Sequence, residues 1–180
     1  VGLSFDQGDY IMKVAPDYPN VAFVWSSGYM TADNVCTLNP PYQESAYLCG
    51  IIAAKMTKTD TIGFISAQDN TSMISALEGY KEGARSVNPD INVIYAWTGS
   101  WSDVELGMQT AVAQFEQGVD VLMGRGDGLA LGCFQACIDK GVYCFGDVSD
   151  QNSIAPDLIL TSTIINIGVY IENIINDVRA

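Results

Sequence analysis

Two carboxylates, Asp147 and Asp150, stand three positions apart in the polar stretch Gly146-Asp-Val-Ser-Asp-Gln151. Such a pair suits general acid and base work, a bound cation, or acceptance of hydrogen bonds from hydroxyls. A solvated loop is the plain alternative. A second chemical stretch is Gly124-Arg-Gly-Asp-Gly128, where Arg125 and the backbone N–H groups around Gly126 offer donors to a small ligand. It approaches a dinucleotide fingerprint, with Asp147 about 20 residues on, but Leu129 stands where the last glycine of G-x-G-x-x-G belongs. A tight turn between strand and helix explains the same letters. The third stretch is Thr98-Gly-Ser-Trp-Ser-Asp103, carrying Trp101, and with it Trp25-Ser-Ser-Gly-Tyr29, carrying Trp25 and Tyr29. Aromatic faces beside carboxylates fit a flat heterocycle bearing hydroxyls, stacked on its face and hydrogen-bonded at its edge. Trp97, inside an apolar run, reads as core.

Other chemistries are excluded by what the chain lacks. There is no histidine, which removes Ser-His-Asp and Cys-His nucleophiles, His-ligated metals and the commonest general base. No P-loop and no G-x-S-x-G occurs. The five cysteines, Cys36, Cys49, Cys133, Cys137 and Cys144, contain no C-x-x-C, and Cys133 and Cys137 at i, i+4 read as small apolar residues on one helix face. No catalytic metal, no cofactor and no enzymatic turnover are therefore expected. With Lys+Arg at 8, Asp+Glu at 21 and a formal net charge of −13, the chain repels phosphate backbones and anionic lipid, so nucleic acid is not an expected partner.

The elements that must position these residues follow from apolar runs and periodicity. Val21–Trp25, Ile62–Ser66, Ile91–Trp97, Val119–Met123, Val142–Phe145 and Leu158–Thr161 read as strands. Helices are predicted over 42–58, 71–87, 102–118, 129–140 and 166–178, with Ser102 and Glu105 as a capping box and Gly118 and Gly141 as stops. Strand alternating with helix predicts a doubly wound α/β fold, a mostly parallel sheet covered on both faces, with 62–66, 91–97, 119–123 and 142–145 parallel in one sheet. The runs do not alternate with polar residues, as befits strands buried on both sides. In such a sheet ligands bind beyond the carboxyl ends of the strands, where all three chemical stretches lie. At 48% hydrophobic and 16% charged the chain can bury a real core, and no run approaches the ~18–20 apolar residues of a membrane span. The first residues, Val1-Gly-Leu-Ser, carry no initiator Met and no targeting pattern, which suggests a fragment or a processed chain.

Several stretches together resemble a known family. They include Val14-Ala-Pro-Asp-Tyr-Pro-Asn-Val-Ala-Phe23, Glu44-Ser-Ala-Tyr-Leu-Cys-Gly50, Gly83-Ala-Arg-Ser-Val-Asn-Pro-Asp-Ile91, Trp97-Thr-Gly-Ser-Trp-Ser-Asp103, Gln117-Gly-Val-Asp-Val121, Ser149-Asp-Gln151 and Ala155-Pro-Asp-Leu-Ile-Leu-Thr-Ser162. In order and spacing they resemble the basic membrane protein (BMP) family of type I solute-binding proteins, which includes purine-nucleoside receptors of ABC importers. The resemblance implies two α/β lobes with ligand between them: 1–60 and 162–180 in an N-terminal lobe lacking its first strands, and 61–161 in a C-terminal lobe. It implies capture of a purine nucleoside or base, a permease as partner, and an extracytoplasmic place with a lipid anchor outside this chain. Asp150 matches the family's Ser-Asp-Gln, whereas Asp147 is displaced by one position. The lysine that family members carry after Leu-Thr-Ser is replaced by Ile164, Ile165 and Asn166. Two other readings stand beside it: a dinucleotide-dependent oxidoreductase using the Gly124–Gly128 loop, and a ligand-sensing regulatory module of the same fold.

Overall fold

The computed structural model describes residues 7–179; residues 1–6 and 180, assigned above to the N-terminal lobe, lie outside that range. Packing divides the chain into two units, Tyr42–Ile164 and a smaller one formed by the segments before and after it.

The larger unit contains α2 (Tyr42–Met56), β3 (Thr61–Ser66), α3 (Thr71–Arg85), β4 (Asn92–Trp97), α4 (Val104–Phe115), β5 (Val121–Gly124), α5 (Gly128–Lys140), β6 (Tyr143–Gly146) and β7 (Ile159–Ser162). Its sheet has five strands in the order β4-β3-β5-β6-β7, every pair parallel. The four strands expected to run parallel in one sheet do so. Alternate side chains feed two cores. Ile62, Phe64, Val121, Met123 and Phe145 pack with Ala46, Cys49, Leu77 and Tyr80 of α2 and α3. Ile65, Leu122, Cys144 and Ile159 pack on the other face with Leu129, Cys133, Phe134 and Cys137 of α5 and Ala111 of α4. Strand β4 departs from the expectation of full burial: as the sheet's edge it leaves Asn92 and Tyr95 exposed.

Each helix pair packs main chain against main chain. A Cβ on Gly83 of α3 would stand 1.9 Å from the Tyr47 carbonyl of α2, and one on Gly132 of α5 would stand 1.9 Å from the Val104 carbonyl of α4. This closeness ties α2 to α3, and so to the larger unit, whereas the family resemblance places residues 1–60 in the N-terminal lobe. Strand β7 likewise extends the larger sheet through β6.

Helix ends follow local chemistry. Asn70 caps α3, its side-chain oxygen accepting from the Met73 N–H at 3.1 Å. The cap of α4 is Asp103, accepting from Leu106 N–H at 3.0 Å, one residue later than the expected Ser102. A carboxylate at that end also complements the helix dipole, which a serine does not. Gly141 ends α5 in the left-handed conformation at φ 68°, as expected.

The smaller unit holds α1 (Gly8–Val14), a 3-10 turn at Ala15–Asp17, β1 (Phe23–Ser26), β2 (Val35–Leu38) and α6 (Ile167–Arg179). Strands β1 and β2 pair in parallel, Phe23 opposite Val35 and Ser26 opposite Leu38. The Asn34 side-chain nitrogen lies 3.0, 3.0 and 2.9 Å from the carbonyls of Ala15, Tyr18 and Val21, pinning the turn that precedes β1. Neither α1 nor β2 was expected. Both are short, and Val35-Cys-Thr-Leu38 mixes polar with apolar residues too briefly to show a period.

Candidate functional site

The chain leaves β3 for β4 on one side of the sheet and returns to β5 on the other. The carboxyl ends of β3 and β5 therefore form the topological switch point, where the two outgoing loops part and where ligands bind in open α/β sheets. Arg125 is the first residue past β5 and Ser66 the last of β3; the Arg125 N–H donates to the Ile65 carbonyl at 2.8 Å and joins the two ends.

Arg125 is 1% exposed. Its Nη2 donates to Asp147 Oδ1 at 2.9 Å, and Tyr42, at the start of α2, places its ring 4.9 Å from the guanidinium carbon. Thr163, just past β7, donates its hydroxyl to the same Asp147 oxygen at 3.1 Å. A buried charged pair of this kind holds only when geometry and neighbouring donors compensate its lost hydration. Gln151 fixes the loop: its Oε1 accepts the Asp147 N–H at 2.7 Å, and its own N–H donates to Ser162 Oγ at 3.1 Å. Between them Val148 takes φ 66°, and the Ser149 N–H closes a tight turn onto the Asp147 carbonyl at 2.7 Å. A β-branched residue in that region is strained and is held there by its surroundings. Cys49 lies near this pair. Burial pushes its thiol up to about 12, Arg125 pulling the other way and Asp147 adding to the rise, so the thiol stays neutral.

Three polar atoms in this region have no partner: Arg125 Nε, Arg125 Nη1 and Ser66 Oγ, all buried. Buried donors are rarely left so, and a cluster of them at a sheet's switch point marks a place where a ligand or water completes the bonding.

The other expected residues fall differently. Trp101 lies in the loop before α4, half-buried against the core on the α4–α5 side, and its carbonyl accepts the N–H groups of Asp127 and Leu129 at 3.0 and 3.1 Å. Gly126 takes φ 140°, the left-handed side open to glycine. Asp150 is exposed, and its Oδ1 accepts the Asn152 N–H at 3.0 Å, organising a 3-10 turn at Asn152–Ile154. Trp25 is fully buried in the smaller unit, with Tyr29 set edge-on at 4.8 Å and 65% exposed. Asp147 and Arg125 are thus brought together, while Asp150 turns to solvent. Thr163, Tyr42 and Ser66 escaped the sequence reading. Thr163 and Ser66 stand at strand ends, where the rule that found Arg125 also applies.

The glycine loop is not a pyrophosphate cradle. The N–H groups of Asp127 and Leu129, which such a ligand would need, are already donated to Trp101. A Cβ on Gly128 would meet the Ser102 carbonyl at 2.1 Å, so that glycine serves the close approach of two loops. This removes the structural basis of the oxidoreductase reading.

Comparison with known proteins accords with this architecture. A family model described as ABC transporter substrate-binding protein, PnrA-like, matches residues 1–179. A purine-binding protein of Brucella abortus is 36% identical over 167 residues, covering 93% of this chain and 47% of the relative. The transcriptional activator protein Med of Bacillus subtilis is 31% identical over 159 residues, covering 88% of this chain and 49% of the relative. Among solved structures, an ABC transporter solute-binding protein of Aeropyrum pernix superposes with a TM-score of 0.86 at 27% identity, covering 97% of this chain and 52% of that one. The chain spans about half the length of the curated relatives it matches first. With an α/β fold of parallel sheets like that of type I periplasmic binding proteins, and a family model spanning almost all of it, the chain belongs to the Bmp family of PnrA-like ABC transporter substrate-binding proteins.

Proposed function

We propose that this chain is the ligand-capturing part of an extracytoplasmic substrate-binding protein that takes up a purine nucleoside or base and hands it to an ABC permease, without covalent change. The observation that carries the reading is the purine-binding relative, 36% identical across 93% of this chain. The site chemistry supports it. A buried Arg125–Asp147 pair and Thr163 stand at the switch point, and the Trp101 loop follows the adjoining strand β4. Polar groups of this kind serve the edge of a heterocycle, and an indole face is worth ~1–3 kcal/mol per stacked base. A neutral ligand also avoids the repulsion that a chain of net charge −13 exerts on anions.

Isothermal titration calorimetry on the whole gene product with adenine, hypoxanthine, adenosine, inosine, glucose and NAD tests this. Binding of at least one purine compound, weakened about tenfold or more by Trp101→Ala, is the expected result. Binding of glucose with no purine bound would overturn the ligand class. An unchanged purine affinity in Trp101→Ala would remove Trp101 from the site.

A further inference from the structure

We propose that Arg125 reads the oxo edge of the ligand, making 6-oxopurines such as hypoxanthine and guanine the preferred class over 6-aminopurines such as adenine. This rests on the purine reading above and adds to it which purine edge is recognised and by which residue.

The starting point is hydrogen-bond accounting. A guanidinium carries five N–H donors and no acceptor. Here Nη2 serves Asp147, while Nε and Nη1 have no partner although the residue is 1% exposed. Nη2 shares one edge of the guanidinium with Nε and another with Nη1. Whichever edge Asp147 uses, N–H groups remain that lack an acceptor. The Ser66 hydroxyl, unpartnered at the end of the neighbouring strand, adds one more group to the same rim.

The missing partner must therefore be an acceptor. Its charge follows from the neighbours. Asp147 lies 2.9 Å from the guanidinium and neutralises it, so the site holds no net positive charge with which to draw in a carboxylate or phosphate. The chain's net charge of −13 opposes an anion further. A neutral acceptor remains. In a 6-oxopurine, O6 and N7 form a pair of acceptors that an arginine meets with two parallel N–H bonds. An adenine places an N6 amino donor where O6 would be, donor against donor, and leaves a buried N–H without an acceptor. Sites built around such polar groups discriminate strongly, because the wrong ligand leaves them unpaired.

Access runs past Tyr42. Its ring covers the guanidinium, it is itself half-exposed, and it begins α2 directly after Pro40-Pro41, where the larger unit starts.

The test is calorimetry on the whole gene product with hypoxanthine, guanine, adenine and unsubstituted purine, for the wild type, Arg125→Lys and Arg125→Met. The wild type is expected to bind hypoxanthine at least tenfold more tightly than adenine. Arg125→Met should abolish that preference, bringing the ratio of hypoxanthine to adenine affinity to within about threefold of one, whatever common loss all four ligands share. Arg125→Lys, which keeps the charge but lacks the planar fork, should lie between. Far-ultraviolet circular dichroism checks that each variant is folded, and the wild-type ratio stands as a test even if both variants fail to fold. Equal wild-type affinities for hypoxanthine and adenine, or tighter adenine, would overturn this inference and leave the purine reading standing; the open donors would then be held by water. Equal loss of all four ligands in folded Arg125→Met would show Arg125 to be structural and likewise overturn it. If no purine binds the wild type, the purine reading fails and this inference with it.

Discussion

Phe64 and Trp25 are both fully buried, yet they sit in differently built units. Phe64 belongs to a five-stranded sheet with helices on both faces, surrounded by Tyr80 and Trp97 at ring distances of 6.2 and 6.0 Å. Trp25 belongs to a two-stranded sheet, and its ring closes against Gly8, Gly28 and Tyr29. The smaller unit also leaves Tyr10, Tyr18, Val169 and Val178 largely exposed, and two-stranded sheets are marginal on their own. The contrast teaches where the site's precision comes from. Arg125, Asp147, Thr163 and Tyr42 all hang on the well-packed unit, and rigid elements hold functional groups more exactly than a thin sheet does.

The largest expected effect separates the two units. Phe64→Ala should cost about 3–5 kcal/mol through the cavity it leaves and lower the urea midpoint followed by Trp97 and Trp101 fluorescence. Trp25→Ala removes as large a side chain, but the Trp97 and Trp101 signal should keep its midpoint. If Trp25→Ala shifts it equally, the two units unfold as one cooperative body.

Alkaline pH sharpens the comparison next. In the larger unit burial raises the thiols of Cys49 and Cys133 from 9.0 to about 12. A thiol held neutral when folded but free to ionise when unfolded supports the fold below its ordinary value and loses that support as pH rises toward the folded value. Stability of the larger unit should fall between pH 9 and 12, by about 1 kcal/mol per thiol at pH 10, in denaturant titrations. Replacing both cysteines by alanine should make the fall shallower, the part that remains belonging to Cys137 and Tyr80, which are also shifted upward; an unchanged slope would assign it to other groups.

Gly132→Ala should destabilise by about 1–3 kcal/mol, since its methyl would enter the Val104 carbonyl at 1.9 Å and push α4 from α5. A wild-type melting temperature in this variant would mean that the helices separate freely. The smallest effect is Asp103→Ala, about 1 kcal/mol for the lost cap of α4, restored by Asp103→Asn, which keeps the acceptor.

The sheet was legible because its strands are buried on both faces and therefore spelled as unbroken apolar runs, as in Ile62-Gly-Phe-Ile65 and Val121-Leu-Met123. Strand β2 was not, because four residues with a cysteine and a threonine at the centre carry too little pattern. The rule that ligands gather at strand ends singled out Arg125 and Asp147 as candidates from sequence. It did not reveal that they pair, because that depends on strand order: β5 and β6 are neighbours only once the sheet has formed. Nor did it distinguish Asp147 from Asp150, which differ through a left-handed turn at Val148, a residue whose type gives no hint of it.

The glycine contacts between helices have a mechanical consequence. Pressure unfolds proteins largely by collapsing their internal voids. Where Gly83 meets the Tyr47 carbonyl and Gly132 meets that of Val104, no side chain separates the helix backbones at the crossing. Compression must therefore find its volume elsewhere. The two glycine crossings should be the last parts of the larger unit to yield in a diamond cell.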